Sequence, residues 1–278
     1  MPSYNYAKGL AYFLNAKPVT LFASAFYLIS YTIRPEIKEV HYEDRDSFLS
    51  DDDGAPIAIF SHGLGGSRFI YSTFISKFAE IGWTVYAVEH TDGTACTAVG
   101  PQGEIIHYQP IGKDENSWKD LRKSQLEFRT QEILKILDKV GRTNRDIYLI
   151  GHSFGAATMF NVLLKDKIRD FNIKHVYLVD PWWYCFENES LQNLKIKKKV
   201  FVKTAITENF HWESQDLANE NIKRANVDFW EEKHCPETSH QDLSDFAVHV
   251  PRLLKIAGQT GLNGGIKHIS DVFEWFVI

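Results

Sequence analysis

Five residues, Gly151-His152-Ser153-Phe154-Gly155, decide how the rest of this sequence is read. They form a G-x-S-x-G directly after the apolar run 146–150 and directly before a helical pattern that opens at Ala156. A serine at a sharp strand-to-helix turn needs small neighbours, because the backbone there is strained and strand and helix pass close together. Gly151 and Gly155 meet that need, and Ala156 and Ala157 continue the small run. The helix would also present its electropositive end, and the Phe154 N–H, to an anion forming beside the serine. The stretch predicts a serine nucleophile on an α/β-hydrolase fold: a mostly parallel central sheet with helices on both faces.

Working outward, the runs 56–60, 84–88, 175–179 and 199–204 are rich in Val, Ile, Tyr or Phe. They are apolar on both faces, as strands sandwiched between helices must be. They alternate with helical patterns at 70–81, 126–140, 156–165, 242–257 and 266–276, the rhythm of a parallel sheet. Leu126, Thr130, Ile133, Leu137 and Val140 follow the 4-3-4-3 spacing of one buried stripe. The polar, turn-rich segment 91–118 is longer than connections inside a compact domain usually are, which predicts a loop beside the active site. The whole chain, 1–278, reads as a single α/β-hydrolase domain. An N-terminal helical segment within 1–50 packs on the core or faces lipid, and an acidic connector at 44–54 follows it.

Composition narrows the function. With 278 residues, 44% of them apolar, a sizeable core is expected. A net charge of −5 and a pI near 6.1 argue against nucleic acid as a partner. Cys96, Cys185 and Cys235 lie far apart, which suggests neither a disulfide framework nor a zinc site; no cofactor and no metal are expected. A reducing, cytoplasmic setting follows, peripheral at membranes, with secretion the alternative were an upstream signal removed. The longest apolar stretch, 19–33, falls short of the roughly 20 residues that span a bilayer. It reads as a buried or interface-lying helix, and Ala11, Leu14, Leu21, Phe22, Phe26 and Ile29 of the N-terminal segment form a lipid-facing surface or a cover for the sheet.

A serine hydroxyl is a weak nucleophile until a base takes its proton and a third group holds the base. On this scaffold the chain order is Ser, then acid, then His. Asp180 directly follows the strand 175–179, at the carboxyl end where ligands gather; Asp166 and Asp170 lie in the connection at the opposite end. Among the downstream histidines, His240 closes a polar loop before a helix and is the first choice, with His234 next. His211 lies in an unplaced aromatic segment, and His249 and His268 fall within helices. The second oxyanion donor is expected in Ser61-His62-Gly63-Leu64-Gly65-Gly66, which follows the first strand. The Leu64 N–H is the candidate there. His62 precedes the serine and reads as a brace of the loop; with Trp182 and Trp183 it is also a candidate lining for the substrate pocket.

The run 60–68, then Tyr71-Ser72, then Ala87-Val88-Glu89-His90-Thr91-Asp92-Gly93-Thr94-Ala95, resembles the platelet-activating factor acetylhydrolases of the plasma and intracellular type II group. Gly151 to Thr158, Leu178-Val179-Asp180-Pro181-Trp182 and His240 to Phe246 are similar to that family's elbow, acid and histidine segments, in the family's order. Ala156, Thr91 and Pro181 depart from its usual residues. The resemblance implies Ser153 as nucleophile, Asp180 as acid, His240 as base, and the Leu64 and Phe154 N–H groups as the oxyanion hole. It also implies calcium-independent hydrolysis of short or oxidised sn-2 acyl chains from phospholipids at a lipid surface. The competing readings are a general short-chain carboxylesterase or lipase, and a non-catalytic lipid-binding relative.

Overall fold

The structure, a computed structural model, describes residues 4–32, 54–111, 115–140, 144–186, 191, 194–226, 229–249, 251–256 and 258–278. The acidic connector, apart from Gly54, lies outside them. Six parallel strands form one sheet: β1 (Ile57–Ser61), β2 (Thr84–Val88), β5 (Ile147–His152), β6 (Ile173–Val179), β7 (Phe201–Thr207) and β8 (Trp230–Cys235), in the order β2-β1-β5-β6-β7-β8. Side chains alternate across it with period two. Ile57, Ile59, Leu149, Val176, Leu178 and Val202 point to one face. There they meet α4 (Glu115–Val140), α5 (Phe154–Leu163) and α6 (Glu213–Ala225) through residues such as Ile133, Leu137, Met159, Phe160 and Ile222. Ala58, Phe60, Ile150, Tyr177, Val179 and Ala205 point to the other, onto α3 (Ser72–Glu80) and α9 (Ile266–Val277) through Phe74, Phe78, Val272 and Phe276. This is the mostly parallel sheet with helices on both faces that the elbow predicts.

Two expectations are corrected and one strand is added. The long segment 91–118 is not a bare loop: β3 (Thr97–Val99) and β4 (Ile105–His107) pair antiparallel within it, and α4 begins at Glu115. The C-terminal pattern 242–257 is not one helix. It breaks into a 3-10 turn (His240–Leu243), α7 (Asp245–His249) and α8 (Pro251–Ile256). Asp242 caps only the 3-10 turn, accepting from Ser239 N–H in a capping box and also from Gly261 N–H, while Asp245 is drawn away to accept from Ser72 N–H and Thr73 N–H at the start of α3. Strand β8, Trp-Glu-Glu-Lys-His-Cys, was not expected at all, because an edge strand carries charges and lacks an apolar run.

At the N-terminus, α1 (Tyr4–Phe13) and α2 (Val19–Thr32) pack together, and α1 lies across the β3–β4 ribbon. Phe13 meets Tyr108 edge to face with centroids 5.1 Å apart. It also covers Gly65, where an added Cβ would sit 2.3 Å from the Phe13 ring. Among the described residues no helix is long and apolar enough to cross a membrane.

Candidate active site

Ser153 stands between β5 and α5 with φ 57° and ψ −119°, a backbone that L-residues adopt at a cost of about 1–3 kcal/mol and that the surroundings must enforce. They do so by close approach. A Cβ on Gly155 would lie 2.1 Å from the Ser61 carbonyl oxygen, and one on Gly151 would lie 2.4 Å from the Gly155 oxygen. Ser153 N–H donates to Val179 O (2.9 Å), and its carbonyl accepts from Trp182 N–H (3.1 Å), so the elbow is pinned to the end of β6. The serine itself is 8% exposed.

Asp180, also with positive φ (44°), leaves β6 fully buried. Its Oδ1 accepts from Thr207 N–H (2.7 Å), and its Oδ2 accepts from Thr207 Oγ1 (2.7 Å) and His240 Nδ1 (3.0 Å). Burial pushes its pKa up, but the hydrogen bond and charge of His240, the His152 ring and the Thr207 N–H outweigh burial and leave it below the usual carboxylate value. An ionised Asp180 fixes the proton of His240 on Nδ1. The Nε2 lone pair then faces Ser153 Oγ, 3.0 Å away. Phe210 stacks on the His240 ring at 4.1 Å and 9°, and the imidazole keeps a quarter of its surface exposed.

The two candidate oxyanion donors are held in place from behind. Phe154 N–H opens α5 and has no intrahelical acceptor. The peptide carrying Leu64 N–H has its carbonyl, Gly63 O, engaged by His62 Nδ1 (2.8 Å) and Gly66 N–H (3.2 Å). The preceding carbonyl, His62 O, accepts from Arg129 Nη1 (2.7 Å). Arg129 is buried, pairs with Asp92 (Nε–Oδ2 3.2 Å) and lies over the Phe154 ring, Cζ 4.8 Å from its centroid. One guanidinium thus touches both donor-bearing segments.

Of the pocket candidates, Trp182 meets Phe154 edge to face (5.8 Å) and stacks on Tyr184, which stacks on Trp118 (4.7 Å, 14°). Trp183 and His62 do not line the site. Trp183 is buried among Phe160, Phe186 and Trp230 in the core, its indole donating to Asn219, because successive residues leave this 3-10 turn in different directions. His62 is fully buried as the brace just described. The rejected alternatives lie elsewhere: Asp166 pairs with Arg169 in an exposed 3-10 turn, His234 with Glu232, His211 with Asp216, and His268 is buried in α9. Ligand atoms of His152, Asp180 and His240 fall within 4.8 Å of one another, the spacing of a metal site. Each is already engaged: His152 with His240 O, His240 with Asp180 and Ser153, and Asp180 with Thr207.

Sequence reasoning missed Arg129, Tyr71, His152, Thr207 and Phe210. Arg129 had a signal. It lies seven residues after Arg122, beside the apolar stripe of α4, and both arginines are buried.

Residues 1–145 and 138–264 match the sequence profile described as "Platelet-activating factor acetylhydrolase, isoform II". The chain belongs to that family. Among platelet-activating factor acetylhydrolases, the Gallus gallus protein is 24% identical over 98% of this chain and 72% of its own length. A protein of Arthroderma benhamiae named "Probable 1-alkyl-2-acetylglycerophosphocholine esterase" is 26% identical; the alignment covers 70% of this chain and half of that one. Among solved structures, the ferulic acid esterase of Streptomyces cinnamoneus superposes with a TM-score of 0.61 at 16% identity, covering 80% of this chain and 65% of the esterase. That likeness shows the α/β-hydrolase fold.

Proposed function

We propose that this acetylhydrolase-family chain cleaves the sn-2 acetyl or short acyl ester of platelet-activating-factor-like phospholipids through an acyl-serine intermediate. Family membership supports the reaction class, hydrolysis of such carboxylic esters. The observation that carries the residue assignment is the chain Ser153 Oγ–Nε2 His240 Nδ1–Oδ2 Asp180, with both links at 3.0 Å. Ser153 Oγ attacks the sn-2 carbonyl carbon as its proton passes to His240 Nε2, and Asp180 stabilises the imidazolium. The N–H groups of Leu64 and Phe154 take the oxyanion; losing one such donor typically costs about 10²–10³ in kcat. The imidazolium gives its proton to the departing lysophospholipid oxygen. Water, deprotonated by His240, then releases the acyl group as its acid. Trp182, Tyr184 and Trp118 supply an aromatic wall on the Phe154 side for the substrate.

Leu14, directly after α1, and Leu21 and Leu28 on α2 are 53%, 66% and 65% exposed, which supports contact with a lipid surface. Ala11 is buried and takes no part, and the side chains of Phe26 and Ile29 lie outside the described residues. A cytoplasmic enzyme working peripherally at membranes fits this reading.

The test is hydrolysis of phosphatidylcholines with sn-2 chains of increasing length, with and without chelator, alongside fluorophosphonate labelling. The expected result is preference for the shortest chains, indifference to chelator, and labelling lost in Ser153→Ala. Turnover of acetyl-glycerophosphocholine lipid no better than of p-nitrophenyl acetate would favour a general carboxylesterase. Activity surviving Ser153→Ala would overturn the mechanism.

A further inference from the structure

Beside the proposed triad runs a second string of buried polar groups that the reaction itself does not use. Gly63 N–H lies 3.3 Å from Tyr71 Oη and donates to it. Tyr71 Oη lies 2.9 Å from His152 Nδ1, and His152 Nε2 lies 3.0 Å from the backbone carbonyl of His240. A carbonyl only accepts, so His152 must carry its proton on Nε2 and leave Nδ1 to accept from the Tyr71 hydroxyl. Burial keeps Tyr71 a phenol, and burial together with the neighbouring His240 keeps His152 neutral, so every proton in the string has one position. The packing is equally tight. A Cβ at Gly63 would lie 3.1 Å from Ser153 Cβ, 3.3 Å from Tyr71 Oη and 3.4 Å from His152 Nδ1, and the His152 ring lies 4.5 Å from that of His240.

We infer that His152 and Tyr71 are positioning residues: the string Gly63–Tyr71–His152–His240 locks the loop bearing the Leu64 oxyanion donor to the segment bearing the base. The inference rests on Ser153 and His240 acting as nucleophile and base. Neither His152 nor Tyr71 touches the reacting atoms. They fix the distance between the group that moves the proton and the group that receives the negative charge, two elements that come from opposite ends of the chain and have no covalent reason to stay in register.

The experiment measures kcat and KM on a soluble short-chain phosphatidylcholine for Tyr71→Phe, His152→Leu, His152→Gln and the double variant Tyr71→Phe/His152→Leu. Rates are normalised to active sites counted with a fluorophosphonate. Tyr71→Phe is expected to lower kcat about 5- to 10-fold with KM within about twofold, the size of one lost hydrogen bond expressed in the transition state. His152→Leu should lose about 30- to 100-fold, since both links go. Glutamine can offer a donor to His240 O and an acceptor to Tyr71, so His152→Gln should recover most of that loss. The double variant should be no slower than His152→Leu alone, because the string is already broken. Affinity for a trifluoromethyl ketone, which forms a tetrahedral adduct, should fall in step with kcat. Wild-type rates in Tyr71→Phe, glutamine no better than leucine, or additive losses would each overturn the string. Should His152→Leu not fold, Tyr71→Phe and His152→Gln still decide. Activity in Ser153→Ala would instead remove the reading on which the string depends.

Discussion

His152 is the x of the elbow motif, a position any residue is allowed to fill, and its surroundings give it a measurable signature. Burial first, and the His240 charge second, lower its pKa from 6.5 to about 3. The unfolded chain therefore binds a proton at this residue below about pH 6.5 that the folded chain refuses until about pH 3. Stability rises with pH wherever the unfolded state holds more protons, so His152 makes the protein progressively less stable as pH falls through that window and has no effect above it. Glutamine cannot titrate. Urea unfolding at several pH values between 4 and 7.5 should show wild type with the steeper dependence, by up to about 1.4 kcal/mol per pH unit, and His152→Gln with the shallower one. Parallel curves would mean that His152 is not held neutral.

At the scale of the element, the strand–elbow–helix unit depends on an approach that no side chain survives. Gly155→Ala would drive a methyl group to 2.1 Å from the Ser61 carbonyl oxygen, so β1 and α5 must part. We expect a loss of at least about 3 kcal/mol, at the upper end of overpacking, read as a lower urea midpoint or as failure to accumulate folded protein. Unchanged stability would show that the two elements are not in contact. This unit was the legible part of the sequence, because G-x-S-x-G between an apolar run and a helical pattern has few other physical solutions. The central strands were legible for a related reason, being apolar on both faces. Strand β8 was not, since at the sheet edge only Trp230 and Cys235 are buried and the charges between them mask the period. The break at 244–245 was hidden because Asp245 caps α3, more than 170 residues away in sequence. Tyr71 was missed for the same reason: its partner, His152 Nδ1, is set by the tertiary fold and leaves no local pattern, whereas Arg129 has its place beside the α4 stripe but a partner, His62 O, that only the fold supplies.

For the whole molecule, the placement of the N-terminal helices ties the proposed lipid surface to the proposed chemistry. Phe13 covers Gly65, next to Leu64, while its neighbour Leu14 is exposed, as are Leu21 and Leu28, seven residues apart on one face of α2. Apolar side chains left in water at that position favour a surface that takes them up, at roughly 25 cal/mol per Å² buried. Leu21→Asp/Leu28→Asp is expected to weaken partitioning onto phosphatidylcholine vesicles about tenfold or more, leaving kcat on a monomeric soluble ester near wild type. Equal partitioning in a vesicle-sedimentation assay would remove these helices from the interface. The spacing of the triad along the chain has a further consequence, in time. Ser153 and His240 are 87 positions apart, with Asp180 between them. At a synthesis rate of about 5–20 residues per second, a nascent chain therefore holds the proposed nucleophile roughly 4–17 s before the proposed base. On the proposed assignment the hydroxyl has no base through that interval, which would keep a growing polypeptide from acylating itself on lipid, and phosphonate capture on stalled ribosomes would date the moment reactivity begins.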